Sequence, residues 1–372
     1  MRIFKRALCL ALCFVTATFC FSGCSSGEKY DKKSVVLSRE DKYEVVKNID
    51  ELIMDNKYRG TVAVKLNENY IYLDCTGSES KNGDDIEVTS AFQVGNLTEA
   101  FTTAAIMKLA DEKKLSLEDS LTKFFNANVA DVTVEDLVKN KVSFGYYIGD
   151  VEKDTKTLKK IDKLVKKDDN EKIKKVVADF IFNFGMVDYA TDKSNYYLLG
   201  LIVEKASGED YRDYVKKNII DELGLKSTSF ASSGKPYHGY DSENKKWLKT
   251  QTPRYKNWGF LFSVYGMESS QSDLFTFYDA FFSGKLFKTD VASYIAKSKS
   301  GNHYGFGFSK GDIDAWTSIN LHRAYLHRDS DTDLTVLLLS NSVGGFDINT
   351  LGHEVYSAVN KKVTGTILRS NK

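Results

Sequence analysis

The chain has 372 residues and a formal net charge of +1 at pH 7, so its bulk charge gives no sign of a nucleic-acid partner. Apolar residues make up 42% of the chain and charged residues 28%, which argues against both a disordered protein and a polytopic membrane protein. A chain of this length can bury a large core in one domain or in two subdomains.

The N-terminus has the pattern of an export signal. A short basic segment, residues 1–6, is followed by the apolar run Ala7–Phe21, which is too short to span a membrane comfortably. The run ends in Phe21-Ser22-Gly23-Cys24, which resembles the bacterial lipobox, where a cysteine after small residues receives a diacylglyceryl group. We therefore predict a signal peptide over residues 1–23, lipidation of Cys24 and a polar tether over residues 24–42. An ordinary secretory signal with an incidental cysteine is the alternative.

Removal of the signal peptide would leave Cys75 as the one cysteine without a lipid. A single thiol has no internal partner for a disulfide. Because Cys75 follows a strand-like run and no histidine is near it in sequence, we interpret it as a buried, inert thiol.

The periodicity of apolar residues predicts strands near both ends of the chain and helices between them. The predicted strands are Gly60–Lys65, Tyr70–Leu73, Tyr304–Phe308 and Leu334–Ser340. The predicted helices are Thr98–Lys108, Asn195–Lys205, Tyr211–Leu223 and Asn349–Lys361. The lysine-dense segment 152–175 is typical of a solvated helical face. The pattern therefore indicates an α+β fold, with an antiparallel sheet built from both termini, flanking helices and an inserted helical subdomain.

Five blocks, taken in order, resemble one known family. They are Phe92-Gln93-Val94-Gly95 with the following helix, Ser194–Ile202 with Leu223–Thr228, Gly266–Ser270 with Ser283–Leu286, Tyr304–Phe308, and Asp333–Asn341. In order and spacing they resemble the class C β-lactamase-related, penicillin-binding-protein-like family over residues 45–360. The resemblance implies a β-lactamase/transpeptidase-like fold for residues 43–365 and serine acyl-transfer chemistry, as in carboxypeptidases, β-lactamases and esterases, with no cofactor and no metal.

The first motif of that family, Ser-x-x-Lys, supplies a nucleophile and a lysine that helps to deprotonate it. Here its serine falls on Asn96 and its lysine on Glu99. An amide nitrogen is not a nucleophile at neutral pH, and a carboxylate raises the pKa of a neighbouring hydroxyl. Asn96 at a helix start with Glu99 three residues later predicts a capping box instead.

The second motif, Tyr-x-Asn, supplies a phenol for proton transfer and an amide that positions the substrate. Counting without gaps puts its tyrosine on Thr191 and its asparagine on Lys193. Two inserted residues would recover Tyr189 as a remnant of the tyrosine, but Thr191 would then replace the asparagine. The amide is lost in both alignments.

The third motif, a strand with Lys-Thr-Gly or His-x-Gly, is expected between Gly311 and Asp333. Residues 312–343 contain no glycine, so this motif is absent there in any register. His322 and His327 lie in this stretch and could be metal ligands or part of a cationic clamp. Since no acidic or cysteine partner completes a ligand set in the sequence, we predict exposed strand residues.

The catalytic groups could also have moved to another place. Ser-x-x-Lys recurs by chance in a lysine-rich chain, at Ser78–Lys81, Ser120–Lys123 and Ser232–Lys235, and Lys299-Ser300-Gly301 mimics the strand motif. We predict a lipid-anchored pseudoenzyme on the outer face of the bacterial cytoplasmic membrane that binds a cell-wall peptide or another protein. A serine hydrolase of carboxypeptidase, β-lactamase or esterase type, with a rearranged active site, is the alternative.

Overall fold

The structure, a computed structural model, describes residues 35–127, 129, 131–187, 193–230, 237–250, 257–288 and 312–370. Its strands are β1 (Gly60–Leu66), β2 (Asn69–Thr76), β3 (Phe92–Gln93), β4 (Ser229–Phe230), β5 (His238–Asp241), β6 (Lys246–Lys249), β7 (Met267–Ser269), β8 (Ile313–Ile319), β9 (His322–Asp329), β10 (Leu334–Ser340) and β11 (Ser342–Val343). Its α-helices are α1 (Arg39–Asp55), α2 (Thr98–Asp111), α3 (Val134–Val138), α4 (Tyr147–Lys153), α5 (Thr155–Val165), α6 (Asn170–Phe184), α7 (Ser194–Ser207), α8 (Tyr211–Val215), α9 (Asp221–Leu223), α10 (Trp258–Tyr265), α11 (Gln271–Ser283) and α12 (Ile348–Ser370).

A five-stranded antiparallel sheet contains strands from both ends of the chain, as predicted. Its order is β2-β1-β10-β9-β8, so the N-terminal hairpin β1–β2 pairs with the C-terminal strands through β1 and β10. The predicted strand Leu334–Ser340 coincides with β10. The β-branched and leucine side chains of β1 and β10 are buried on both faces, which explains why these strands form the centre of the sheet.

The two faces of the sheet cover two separate apolar clusters. One face, including Ala315, Leu326 and Leu337, packs toward α2 and the helical subdomain. The opposite face, including Val64, Tyr325 and Leu338, packs against α1 and α12. Alternate residues along a strand point to opposite faces, so each strand contributes to both clusters.

The helices between β3 and β4 form the predicted helical insertion. The lysine-dense segment is mostly solvated, since α5 buries only Ile161 among its described side chains. Lys174 is the exception to that prediction. Its side chain is 4% exposed, and its Nζ lies 2.7 Å from the carboxylates of both Glu171 and Glu204.

Three boundaries or burial states differ from the sequence prediction. Helix α1 begins at Arg39 and Leu37 is buried, so the folded part begins before the predicted end of the tether at residue 42. Helix α12 continues past residue 365 to Ser370. Cys75 is a free thiol, but it is only partly buried. Within the described part of the chain, no helix is both long and apolar enough to cross a membrane.

Several predictions lie outside the described residues. They concern the signal peptide with Cys24, the motif positions Tyr189 and Thr191, the strand Tyr304–Phe308, and the segments Ser232–Lys235 and Lys299–Gly301.

Candidate functional site

The segment before α2 lies against strand β8, the last strand in the described order of the large sheet. This segment is a 3-10 turn, Gly95–Leu97. Gly95 has φ +49°, and a Cβ placed on it would lie 2.3 Å from Oγ1 of Thr317. Glycine is therefore required here twice, for the left-handed backbone and for the close approach of the turn to β8.

Asn96 joins the turn to β8. Its Nδ2 donates a hydrogen bond of 2.7 Å to the carbonyl oxygen of Trp316. Its buried Oδ1 has no hydrogen-bond partner among the described residues. The predicted capping box is wrong, because α2 begins at Thr98 after Leu97 and no side chain caps it. The 3-10 turn continues directly into the helix, which leaves Asn96 too early in the chain to act as the cap.

Glu99 forms an ion pair with Lys193. Nζ of Lys193 lies 2.8 Å from Oε1 of Glu99, and the two side chains are 14% and 0% exposed. Burial, and to a smaller extent the negative charge of Glu99, raises the pKa of the nearby Tyr278 phenol well above its usual value. The field at this position therefore disfavours an additional negative charge.

The start of α7 holds Lys193 in place. Lys193 immediately precedes this helix. Ser194 Oγ donates to the carbonyl oxygen of Gly145 at 2.6 Å, and Asn195 Nδ2 donates to that of Val142 at 2.7 Å. These bonds fix the start of α7 to the loop before α4, so the ion pair connects α2 to the helical subdomain.

A family model described as Beta-lactamase matches residues 47–356. This chain belongs to the beta-lactamase family. It is 24% identical over 284 residues to PbpX of Bacillus subtilis (strain 168), which covers 73% of this chain and 68% of PbpX. Protein flp of Staphylococcus aureus (strain MW2) is 24% identical over 174 residues. That match covers 45% of this chain, which spans only 32% of flp.

Solved structures share the fold of this beta-lactamase family member. FmtA from Staphylococcus aureus superposes with a TM-score of 0.63 at 17% identity, covering 88% of this chain and 92% of FmtA. A D-stereospecific amidohydrolase from Streptomyces sp. superposes with a TM-score of 0.61 at 18% identity, covering 85% of this chain and 97% of the amidohydrolase. Similarity at these identities establishes the fold alone.

Two residues that the sequence prediction assigned to different motifs thus meet in space. Glu99 was assigned to the lysine of Ser-x-x-Lys, and Lys193, in the alignment without gaps, to the asparagine of Tyr-x-Asn. Their contact could not be read from the sequence, because 94 residues separate them. A cation and an anion at two positions of one site are the only signal that could have suggested it.

Strand β8 lies where the family's third motif is expected, and it contains no glycine. Its Trp316 carbonyl oxygen accepts the hydrogen bond from Asn96. A peptide added to the edge of a sheet depends on such backbone groups. Asn96 therefore occupies one backbone acceptor of β8.

His322 and His327 of β9 are both less exposed than predicted, and the side chain of His327 is 15% exposed. His322 is 7% exposed, so the prediction of an exposed strand residue is wrong for it. Its Nδ1 accepts a hydrogen bond of 2.8 Å from the backbone N–H of Gln93, and its Nε2 lies 3.1 Å from the carbonyl oxygen of His238. Burial lowers the pKa of His322 to about 4. His322 is thus a neutral structural residue that ties β9 to β3.

The serines of the two described Ser-x-x-Lys tetrads make local structural contacts. Ser120 accepts a hydrogen bond from the backbone N–H of Thr122 and so caps a 3-10 helix, while Lys123 pairs with Asp119 at 2.6 Å. Ser78 lies in an isolated bridge with Asp85. Neither serine lies in the turn before α2, where the family nucleophile belongs.

A cavity of about 930 Å³ begins at the end of β8. Aromatic side chains of Tyr146, Trp247 and Tyr265 and polar side chains of Ser318 and Asn320 line it. Aromatic walls with a few polar groups are typical of sites that bind organic ligands. The site can therefore hold a ligand next to β8 even though Asn96 and Glu99 supply no nucleophile.

Proposed function

We propose that this protein is a pseudoenzyme of the beta-lactamase family, lipid-anchored through Cys24 outside the cytoplasmic membrane, that binds a cell-wall peptide or a protein partner. The observation that carries the proposal is the ion pair between Glu99 and Lys193. It places a buried carboxylate where acyl transfer needs a lysine beside the nucleophile. The ammonium group of Lys193 is already paired with that carboxylate.

Acylation also needs a hydroxyl at the position of Asn96 and an open edge strand for the substrate backbone. The carboxamide of Asn96 supplies no hydroxyl, and it bonds to the carbonyl oxygen of Trp316 on that strand. Three requirements of the reaction are thus altered at one site. Groups that act as a unit are strongly non-additive, so each alteration alone would already remove most of the activity.

The cavity beside β8 supports a binding role. Its aromatic residues offer apolar contact and its polar residues offer hydrogen bonds. A peptide from the cell wall or an extended segment of a partner protein has both kinds of group. Trp247 lies in the wall of the cavity, so its fluorescence should change when cell-wall peptides are titrated into the protein, and the change should disappear in Trp247→Phe.

The experiment that tests inactivity is incubation with a fluorescent penicillin and a serine-reactive fluorophosphonate, followed by intact-mass spectrometry. We expect no covalent adduct on the wild-type protein. A stoichiometric adduct would contradict the proposal, and mapping it to a serine would favour the rearranged hydrolase.

Partial repair of the first motif should also fail. In Asn96→Ser/Glu99→Lys, the new lysine would lie beside Lys193, and two like charges repel each other. The double variant should therefore form no covalent adduct with penicillin. An adduct in the double variant alone would mean that the cleft still accepts substrate and that only the first motif was lost.

A further inference from the structure

A cluster of metal-ligating side chains lies on the face of the sheet that packs against α12. Asp314 of β8 stands directly opposite His327 of β9 in the strand register, so both side chains project from the same face. His353 reaches the pair from α12. One ligand atom of each residue lies within 4.8 Å of those of the other two. The Asn96 turn lies on the other face, so this cluster is separate from the site described above.

The distances inside the cluster suit a small metal ion. Asp314 Oδ1 lies 3.5 Å from His327 Nδ1, and Asp314 Oδ2 lies 3.6 Å from His353 Nε2. Two ligands bound at about 2.0–2.2 Å to a tetrahedral Zn²⁺ are about 3.4 Å apart. Both contacts are therefore close to the separation of two ligands on one ion.

One ligand atom is buried without a hydrogen bond. His327 Nδ1 has no hydrogen-bond partner among the described residues. The side chain of His327 is only 15% exposed, so solvent does not readily supply one. A buried polar atom without a partner is unfavourable and calls for an explanation. The contact with Asp314 at 3.5 Å is not a hydrogen bond, whereas a cation between the two groups would give His327 Nδ1 a partner.

Neighbouring tyrosines orient both imidazoles. The hydroxyl of Tyr325 lies 3.3 Å from His353 Nδ1, which directs Nε2 toward Asp314. The ring of Tyr356 packs on that of His327 with 4.0 Å between centroids. Hydrogen bonds and packing that fix a ligand's tautomer and ring plane are typical of metal sites.

A glycine brings the helix close enough for His353 to reach the strands. A Cβ on Gly352 would lie 2.3 Å from the ring of Tyr325, so no other residue fits there without a shift. Glycine inside a helix is unfavourable compared with alanine. Its presence beside His353 shows that α12 must lie close to β9 at this point.

We propose that Asp314, His327 and His353 bind a divalent transition-metal ion of the Zn²⁺ type. Two imidazoles and one carboxylate are a ligand set for such ions, and three protein ligands leave a coordination position for water or for a group from a partner. The partners of His327 could not be predicted from the sequence, because Asp314 lies on β8 and His353 on α12. The ion would link β8 and β9 to α12.

The test is titration of the untagged full chain, freed of metal by a chelator, with Zn²⁺ by calorimetry and with Co²⁺ by visible absorption. We expect one ion per chain and a higher melting temperature with Zn²⁺. His353→Gln and Asp314→Asn should weaken binding on the order of a hundredfold, and Tyr325→Phe about tenfold. Both ligand residues are about half exposed, so these two variants should fold.

His238→Gln is the matched control, because it removes a histidine outside the cluster and should leave the affinity unchanged. Absence of saturable binding to the wild-type chain would overturn the proposal. It would equally be overturned if His353→Gln and Asp314→Asn bound Zn²⁺ as tightly as the wild type, since the ion would then be held elsewhere.

Discussion

Asn96 holds the turn before α2 to the edge of the sheet through one side-chain hydrogen bond, from its Nδ2 to the carbonyl oxygen of Trp316. Asn96→Ala removes that bond and should lower the free energy of unfolding by about 0.5–1.5 kcal/mol. Asn96→Ser should cost as much, because a hydroxyl on Cβ is too short to reach Trp316. Urea denaturation measures both. If serine instead matched asparagine in stability, the residue would be acting as a helix cap after all.

Loss of the Glu99–Lys193 ion pair should lower the free energy of unfolding more than loss of the Asn96 hydrogen bond. Lys193→Met leaves the carboxylate of Glu99 buried without its cation and should cost about 3–5 kcal/mol. Glu99→Gln/Lys193→Met should be less destabilised than the sum of its two single variants, since neither charge remains. Thermal unfolding of all four proteins completes the cycle.

Lys175 provides the control for that cycle. It forms a pair with Asp179 whose side chains are 75% and 54% exposed, and exposed pairs contribute little to stability. Lys175→Met should therefore melt close to the wild type. Additive effects of the two substitutions at Glu99 and Lys193 would show that the buried pair is not coupled.

His322 should make stability depend on pH. Its folded pKa of about 4 lies below the ordinary value of 6.5, so the unfolded chain takes up the proton first as the pH falls. The stabilisation is therefore complete above pH 6.5 and is lost between there and pH 4, by about 3 kcal/mol. His322→Asn keeps an acceptor for Gln93 and does not titrate. The difference in unfolding free energy between wild type and variant should change over this range, and a constant difference would contradict the assignment.

At the scale of elements, β8, β9 and α12 form one packed unit at the edge of the sheet. Register pairs Asp314 with His327, and the ring of Tyr325 lies against Gly352 of the helix. The helix covers the face of the sheet that also carries Val64 and Leu338. A change in the spacing between α12 and β9 would therefore affect both the apolar cluster and the His–Asp cluster.

Two glycines in α12 separate packing from helix propensity. Gly352→Ala would bring a methyl group to 2.3 Å from the Tyr325 ring and should destabilise the fold by about 1–3 kcal/mol. Gly365→Ala, in the same helix with no atom within 4 Å of the new Cβ, should be neutral or stabilising by up to about 1 kcal/mol. Their melting temperatures should thus move in opposite directions. Equal shifts would mean that α12 does not pack on β9 as described.

At the scale of the whole molecule, the first described helix and the closing helix lie on the same face of the sheet. A chain anchored at its N-terminus would attach to this α1–α12 layer, because α1 begins at Arg39. The Asn96 turn lies on the other face. On the proposed topology, helix α1, through which the chain attaches, and the Asn96 turn therefore lie on opposite faces of the sheet.

The anchor itself can be tested directly. Cys24→Ala should release the protein from membrane fractions or leave its signal peptide uncleaved, because Cys24 is the one proposed attachment point for acyl chains. Fractionation and mass spectrometry of the N-terminus measure both effects. Normal processing with unchanged membrane retention would rule out lipidation at this residue, and Cys75→Ala serves as the control.

The family and the α+β class could be predicted from the amino-acid sequence, and so could the assignment of Asn96 and Glu99 to the first motif. These features are carried by local periodicity and by the order of blocks along the chain. Strands β1 and β10 were therefore predicted nearly to the residue. The residue types at positions 96 and 99, asparagine and glutamate, are likewise visible without a structure.

The contacts of Asn96 and Glu99 are visible only in the tertiary structure. Asn96 bonds to a carbonyl 220 residues away, and Glu99 pairs with a lysine 94 residues away. Asp314, His327 and His353 likewise meet through two strands and a helix. The predicted capping box was wrong for the same reason. Asn96 bonds to Trp316 of a strand that is distant in sequence, and the local residue pattern does not indicate that contact. Contacts of this kind depend on how helices and strands pack. The periodicity of apolar residues along one segment indicates which face is buried, but it does not indicate which residues of other segments lie against that face.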